Sequence, residues 1–364
     1  MELVLIGSSN SRRINFTVEA LKKSGITNFS FISYNNILNN ITDLSRELPL
    51  NGCIRLESPS EDTELEALLS GVNNFDQQPK GIIYDYSHWY SNYSDLLTDI
   101  EKAAHSKKCC FVNHPTSIAA TFDKYCTKEI LIKNQIPCTP LISKIADYED
   151  LQNQLTSCKL NRAFLKPRYG SSASGVLAFS RNQKGMSVTS SVEMTNSLLF
   201  NNLKMHKYNS PNEIQLLINE LGKFGLIAEK WVPKNLLGGK AFDLRIFVVN
   251  KKVRHIIVRT SNSSITNLHL GNKRGNLESI SEQYPQASLS YIKQVAINAV
   301  NCFPGLFYAG VDVILSGQKC KPYVVEVNCF GDMLIGDMCE GKTTYEWFAK
   351  EFKNAYLSHG SQKN

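Results

Sequence analysis

Two carboxylates and a side-chain amide recur late in the chain at a spacing that puts them on one surface. The runs Ala309-Gly-Val-Asp-Val-Ile-Leu315 and Tyr323-Val-Val-Glu-Val-Asn328 are rich in β-branched residues, and the link between them holds Ser316-Gly317-Gln318-Lys319 and Pro322. That is a strand, a turn and a strand. Side chains two apart on a strand share a face, so Glu326 and Asn328 point the same way, and an antiparallel partner brings Asp312 beside them. Hard oxygens of this kind suit Mg²⁺, which takes one or two carboxylates, keeps waters and completes its shell from nucleotide phosphates. A solvated hairpin face would carry the same residue types, so the remainder of the chain must decide.

A second candidate lies upstream. Ala163-Phe-Leu-Lys166-Pro167 has the composition of a strand, Val176 to Phe179 that of another, and the loop between them holds Gly170, Ser171, Ser172, Ser174 and Gly175. Consecutive backbone N–H groups in such a loop can fold over phosphate oxygens, with Lys166 supplying a point charge. The loop is not a Walker motif, because Val176 follows Gly175 where a Lys would be needed. A flexible hairpin turn is the alternative. Asp123 is a cap for a helix from Lys124 to Lys133, and a lysine in that first turn gains nothing from the helix dipole. A surface residue is therefore the default reading of Lys124.

Further on, Phe242 to Val249 and Val253 to Arg259 form two strands across the turn at Lys251-Lys252. Asp243 and Arg245 share a face, and arginines inside a sheet require a carboxylate or phosphate partner. The segment from Thr266 to Gly275, with Asn267 and His269, is dense in hydrogen-bonding groups for a mere connector.

The elements that position these groups fall into three stretches. Leu3 to Ile6, Phe29 to Tyr34 and Ile82 to Tyr86 are expected strands alternating with helices (Ile14 to Leu21, Glu64 to Leu69, Tyr93 to Ala104), which implies a parallel sheet covered on both faces through residue 111. Ligands bind at the carboxyl ends of such strands. Ser8, Asn10 and Arg12 are therefore candidate substrate contacts, as are Arg55 to Ser58, although plain turns have the same composition. Ser117 to Ala120 is expected as a short turn. Residues 181–213 are polar and show no clear pattern. Asn212 to Leu221 and Leu289 to Ala299 are helices, and another runs from Thr344 to Tyr356. At 364 residues the chain exceeds one ordinary core.

Composition narrows the function. A net charge of +7 invites a nucleic-acid partner, but Lys and Arg are dispersed and no basic block occurs, so a substrate bearing phosphates or carboxylates is the better match. No apolar run reaches membrane-span length and no basic prefix precedes the first strand, so neither an anchor nor a signal peptide is expected. Ten cysteines without a Cys-x-x-Cys pair suggest reduced thiols in a cytoplasmic protein.

The ordered set Asp123-Lys124, Leu165-Lys-Pro167 with its glycine-serine loop, Ala228-Glu-Lys-Trp-Val-Pro233, Asp243-Leu-Arg245, Asn267-Leu-His269, Val311-Asp-Val313 and Glu326-Val-Asn328 resembles the ATP-grasp superfamily. RimK-like and glutathione-synthetase-like carboxylate–amine ligases are the members it resembles most. The resemblance covers about residues 111–355 and implies an α/β fold in three parts: an N-terminal pre-ATP-grasp domain (1–111), a small ATP-grasp subdomain (112–230) and a C-terminal one (231–357). It implies ATP with Mg²⁺ or Mn²⁺ as cofactors, and small-molecule or peptide carboxylates and amines as partners. A homodimer is common for such folds; a membrane or nucleic-acid partner is not implied.

Carried onto this sequence, Lys124 and Lys166 contact the nucleotide phosphates under the loop from Gly170 to Gly175. Glu229, Trp231 and Val232 border adenine, Lys240 and Asp243 complete the nucleotide site, and Asp312, Glu326 and Asn328 hold the metal. Arg245 and Arg259 meet the transferring phosphoryl group, and Asn267 and His269 face the acceptor. Two departures stand out: Ala228 precedes Glu229 where many members have Gln, and the segment from Lys234 to Lys240 is longer than a minimal hinge. Kinases that phosphorylate a hydroxyl share the fold, and a catalytically inactive nucleotide binder is a further alternative.

Overall fold

The computed structural model describes residues 1–9, 11–60, 62–72, 78–79, 81–170, 174–195, 198–266, 273–331 and 337–357, Leu203 by its backbone alone. Asn10, Ser171, Ser172, Asn267 and His269 lie outside the described residues.

The first sheet is parallel. β1 (Leu3–Gly7), β2 (Phe29–Ser33), β3 (Cys53–Leu56) and β4 (Cys110–Phe111) take the order β2-β1-β3-β4. Among the described residues five helices lie between its strands: α1 (Arg12–Lys23), α2 (Tyr34–Leu38), α3 (Leu44–Glu47), α4 (Thr63–Ser70) and α5 (Tyr86–Ser106). Strand alternation divides its core in two. Leu3 and Leu5 pack with Ile14 and Leu21 of α1, whereas Val4 and Ile6 pack with Leu65 of α4 and Trp89 and Tyr93 of α5.

The strand expected at Ile82 to Tyr86 is instead the approach to α5. Asp85 accepts from the Ser87 backbone N–H and starts the helix, and Trp89, Tyr93, Leu96, Leu97 and Ile100 give it a buried stripe that a strand could not bury. Ile82 makes only an isolated bridge, to Phe200. The turn expected at Ser117 to Ala120 lies within α6 (Pro115–Phe122), which Pro115 opens from its first position. α7 (Lys124–Lys133) follows, with Asp123 accepting from the backbone of Tyr125 and Cys126.

The second sheet is antiparallel: β5 (Leu141–Ile145), β6 (Arg162–Pro167), β7 (Leu177–Asn182), β8 (Gly185–Thr195), β9 (Leu198–Tyr208) and β10 (Leu226–Lys230), in the order β5-β10-β6-β7-β8-β9. α8 (Tyr148–Ser157) and α9 (Pro211–Gly222) supply Leu151, Leu155, Ile214 and Leu217 to its core. The polar stretch 181–213 thus contains a long hairpin, β8 and β9, at the sheet edge, where exposure permits a polar sequence.

The third sheet is also antiparallel. β12 (Lys240–Val249), β13 (Lys252–Ser261), β14 (Lys273–Gly275), β15 (Tyr308–Ser316) and β16 (Lys321–Asn328) take the order β14-β13-β12-β15-β16, with β11 (Leu236–Leu237) paired to β12. One face packs on α10 (Glu278–Gln283) and α11 (Leu289–Asn301) through Leu244, Ile246, Val311, Val313 and Ile292. On the other face, Phe247 and Tyr308 meet α12 (Thr344–Phe352), whose capping box joins Thr343 and Glu346. The fold is thus a mixed α/β architecture of one parallel and two antiparallel sheets. Among the described residues no helix is long and apolar enough to cross a membrane. The ten cysteines are free thiols.

Arg55, one of the candidate substrate contacts, is instead a buried fastener between sheets. Its guanidinium lies 2.9 Å from Glu57 Oε2, donates to Thr17 Oγ1 and the Tyr308 hydroxyl, and stands 4.3 Å from the Phe348 ring centroid. Both partners of the ion pair are almost wholly removed from solvent, so losing one strands the other's charge. Arg55→Met should destabilise the protein by about 3–5 kcal/mol. Urea unfolding followed by tryptophan fluorescence measures this, and an unchanged midpoint would refute the assignment.

Candidate active site

One face of the third sheet collects charge because the strand register leaves no alternative. Arg245 is opposite Asp312, Asp312 is opposite Glu326, and Gly310 is opposite Asn328. Arg259 is opposite both Asp243 and Arg274. A bulge after Asp312 leaves Val325 of β16 unmatched and re-aims the strand beside the two acids.

Arg245 donates to both Asp312 oxygens, and Arg259 Nη2 lies 3.0 Å from Asp312 Oδ2. Arg259 also donates to Asp243 Oδ1 and Oδ2, at 2.6 and 2.9 Å. Burial alone would raise the Asp312 carboxyl, but Arg245 and Arg259 hold it below the ordinary carboxylate range. Among the described residues no hydrogen-bond donor reaches Glu326, and Asn328 Nδ2 is buried without a partner. Gly310 is dictated by space, since a Cβ there would fall 2.7 Å from the Gly331 carbonyl oxygen.

The second sheet supplies the lysines. Lys166 on β6 lies 2.9 Å from Glu229 Oε1 on β10. Thr139 donates to Glu229 Oε2 at 2.5 Å, and Lys128 Nζ stands 3.4 Å from the same oxygen. Lys128 also donates to Thr139 Oγ1 and to the Val324 carbonyl of β16. Burial would raise the Glu229 carboxyl, and Lys128 and Lys166 hold it low.

Lys124 donates to the Gly170 carbonyl at 2.5 Å. Burial lowers its ε-amine and Lys166 adds to the effect, against the pull of Glu326, Glu229 and Asp123. At the base of the glycine-serine loop, Gly170 has φ +111° and Gly175 φ +71°. A Cβ on Gly175 would fall 2.5 Å from Pro167, so neither position accepts a larger residue. Ser174 lines a small cleft with Gly170, Tyr84 and Tyr86.

The two charged groups face each other. Lys124 feels Glu326 as well as Lys166, and Lys234 feels Asp243, Arg259 and Asp312 as well as Lys166. Lys234, beyond the hinge, donates to Thr266 Oγ1 at 2.5 Å and lies 3.8 Å from Asp243 Oδ2. Lys240 is a correction: two residues from Phe242 on β12, it belongs to the face opposite Asp243 and Arg245, and it is exposed. Parity along the strand was sufficient to exclude it.

Trp231 packs on Phe164 with ring centroids 4.7 Å apart, and Val232 is buried beside it. Ser8, just past β1, is buried with an unpartnered hydroxyl, and Arg12 opens α1 at the surface. Lys128 and Thr139 escaped the sequence reading. The signal for Lys128 was its position one helical turn beyond Lys124 on α7.

Residues 115–333 match the family model described as YheC/D like ATP-grasp. The chain belongs to this ATP-grasp family. It is also 28% identical over 242 residues to the coenzyme γ-F420-2:α-L-glutamate ligase of Methanococcus maripaludis, across 65% of this chain and 70% of that protein. In fold it is similar to the D-cycloserine synthetase DcsG, with TM-score 0.57 and 12% identity over 97% of this chain and 99% of that one. It is similar too to the macrocyclase MdnC bound with precursor peptide MdnA from Microcystis aeruginosa MRC, with TM-score 0.57 and 11% identity over 98% and 100%. The chain is an ATP-grasp ligase, and its α/β fold is that of these enzymes from end to end.

Lys234 provides a direct test of the charged interior. Burial lowers its ε-amine from the ordinary 10.5 to about 8, with Arg259 and Lys166 acting in the same direction against Asp243 and Asp312. Its protonation therefore opposes folding below that pH, and the opposition fades as pH rises toward the unfolded value. Lysine ¹³Cε NMR should show one amine titrating near pH 8 that is absent from Lys234→Met. A spectrum in which every lysine titrates near 10 would contradict this environment.

Proposed function

We propose that the protein joins a carboxylate to an amine in an ATP- and Mg²⁺-dependent reaction that passes through an acylphosphate and releases ADP and phosphate. A carboxylate is a resonance-stabilised anion without a usable leaving group. Phosphorylation converts one of its oxygens into phosphate, which the amine then displaces. The observation that supports this reading is the electrostatic convergence of Lys124, Lys166 and Lys234 with Asp312, Glu326, Arg245 and Arg259 across two sheets. Folding alone does not require these charges to meet.

The roles follow from chemistry. Lys124 and Lys166 bind nucleotide phosphates beneath the loop 170–175, which excludes water from the reactive ester. Glu229, Trp231 and Val232 border the adenine. Lys166, held by Glu229 in this structure, exchanges that carboxylate for phosphate, while Lys128 and Thr139 continue to neutralise Glu229. Lys234, rather than Lys240, reaches the phosphate end.

Glu326 presents a carboxylate with no described donor, and the unpartnered Asn328 amide offers an oxygen beside it once its two ends are interchanged. With Asp312, which shares its oxygens with two arginines, these residues fit a hard divalent cation. Such a cation neutralises phosphate charge when bound. Arg245 and Arg259 then meet charge on the transferring phosphoryl group and the acyl oxygen, positioned by Asp312 and Asp243. The division of labour corresponds to an N-terminal domain (1–111), a nucleotide subdomain (112–230) and a phosphoryl-transfer subdomain (231–357).

Incubation with Mg·ATP and pools of carboxylates and amino acids should release free phosphate and yield an amide by mass spectrometry. Phosphate retained on the acceptor would make the protein a kinase instead. Glu326→Gln should lower kcat/KM by about 10²–10³-fold or more without changing the melting temperature. Full activity in that variant would remove Glu326 from the site.

A further inference from the structure

Two cysteines stand side by side at the edge of the parallel sheet. Cys53 begins β3, Cys110 begins β4, and the two are register partners. Partners in a ladder project on the same face, and neighbouring strands run about 4.7–4.9 Å apart. That separation lies within the Cα–Cα distance of about 4.4–6.8 Å that a disulfide spans. The side chains already meet, since the two thiols share a hydrogen bond. Cys109 is engaged elsewhere, its thiol donating to the Pro49 carbonyl at 3.1 Å.

The pair differs in what a reagent from solvent can reach. Cys53 is wholly buried, whereas Cys110, on the edge strand, is exposed. Thiols kept for packing are shut away and inert, so a purely structural pair would be covered on both sides. The hydrogen bond from Cys53 holds the Cys110 thiol below its ordinary range, against the effect of desolvation, and the same bond together with burial raises Cys53. Among the described residues the other titratable groups against the pair are Cys109, which burial raises, and Tyr356, which burial raises with Cys53 and Cys110 adding to the effect. Cys110 is thus an accessible nucleophile and Cys53 a sheltered thiol directly behind it.

We propose that Cys110 is a site of modification by hydroperoxides and that Cys53 is its resolving thiol, the two closing a Cys53–Cys110 disulfide. With hydrogen peroxide, the Cys110 thiolate attacks one peroxide oxygen and the O–O bond breaks. Cys110 becomes a sulfenic acid, and the departing hydroxide leaves as water with the proton that the thiol gave up. The Cys53 sulfur then attacks the sulfenic sulfur, the S–O bond breaks, and the hydroxyl leaves with the Cys53 proton as a second water. The two thiols together lose two electrons and the peroxide gains them. The new bond ties β3 to the strand that leads into Asn113, whose amide donates to the Tyr308 and Cys329 carbonyls.

Mass spectrometry of the full chain after treatment with hydrogen peroxide and blocking of the remaining thiols tests this. The peptides that carry Cys53 and Cys110 should be found joined, with two hydrogens lost and the link reversed by dithiothreitol. In Cys53→Ala, Cys110 should stop as a sulfenic acid that dimedone labels. In Cys110→Ser, a change at an exposed position, Cys53 should stay reduced. The site is overturned if wild-type Cys110 stays reduced at peroxide concentrations that oxidise Cys158, the other exposed cysteine, or if Cys110 is oxidised without joining Cys53.

Discussion

Asp312 shared between two arginines is the constraint from which the rest of the charged face follows. Three charges with little access to water are tolerable only when every partner is present, because removing one leaves the others desolvated and unbalanced. The arrangement demands that β12, β13 and β15 keep a single register, since a one-residue slip would turn Arg245, Arg259 and Asp312 toward Leu244, Val258 and Val313 positions in the apolar core. The hydrophobic cluster under α11 therefore does more than stabilise the sheet. It selects the register that assembles the charges.

A second constraint ties this face to the lysine-bearing sheet. The Val324 carbonyl, two residues before Glu326, accepts from the Thr139 backbone N–H and from Lys128 Nζ, and Lys128 in turn neutralises Glu229. One buried amine thus connects β16, which carries Glu326, to β10, which carries Glu229. Its three acceptors lie on three different segments, so its position has little freedom.

The hairpin from Ala309 to Asn328 was legible because alternation along strands is a period-two signal that survives in the sequence, and Asp312, Glu326 and Arg245 all obeyed it. The same rule, applied to Lys240, puts it on the face opposite Asp243 and Arg245. Other features were hidden for physical reasons. Tyr84 and Tyr86 look like strand residues by type, but the cap at Asp85 and the stripe from Trp89 to Ile100 overrule that local preference. The hairpin in 181–213 sits at a sheet edge, where little burial is required and the alternation is weak. Lys128 was opaque because lysine is ordinarily a surface residue, and only tertiary packing reveals that its three acceptors are waiting.

The parallel sheet is attached to the hairpin of β15 and β16 through one side chain. Asn113, just past β4, donates to the carbonyls of Tyr308 and Cys329 and accepts from the backbone N–H groups of Phe307 and Tyr308. It thereby clamps the start of β15 and the end of β16 with one side chain, while Arg55 reaches Tyr308 from below. The parallel sheet and the acid-bearing hairpin are in this way one unit. The second sheet meets that unit through narrower links: the Lys128 bridge, the Tyr90–Tyr169 stack at 4.3 Å, and the backbone pairing of Gly81 and Ile83 with β9. The stack joins α5 to the residue just before Gly170, so the base of the glycine-serine loop touches the parallel-sheet unit as well as its own sheet. Tyr90 and Tyr169 thus bring the parallel-sheet unit to the residue that precedes Gly170, close to where Lys124 meets the Gly170 carbonyl.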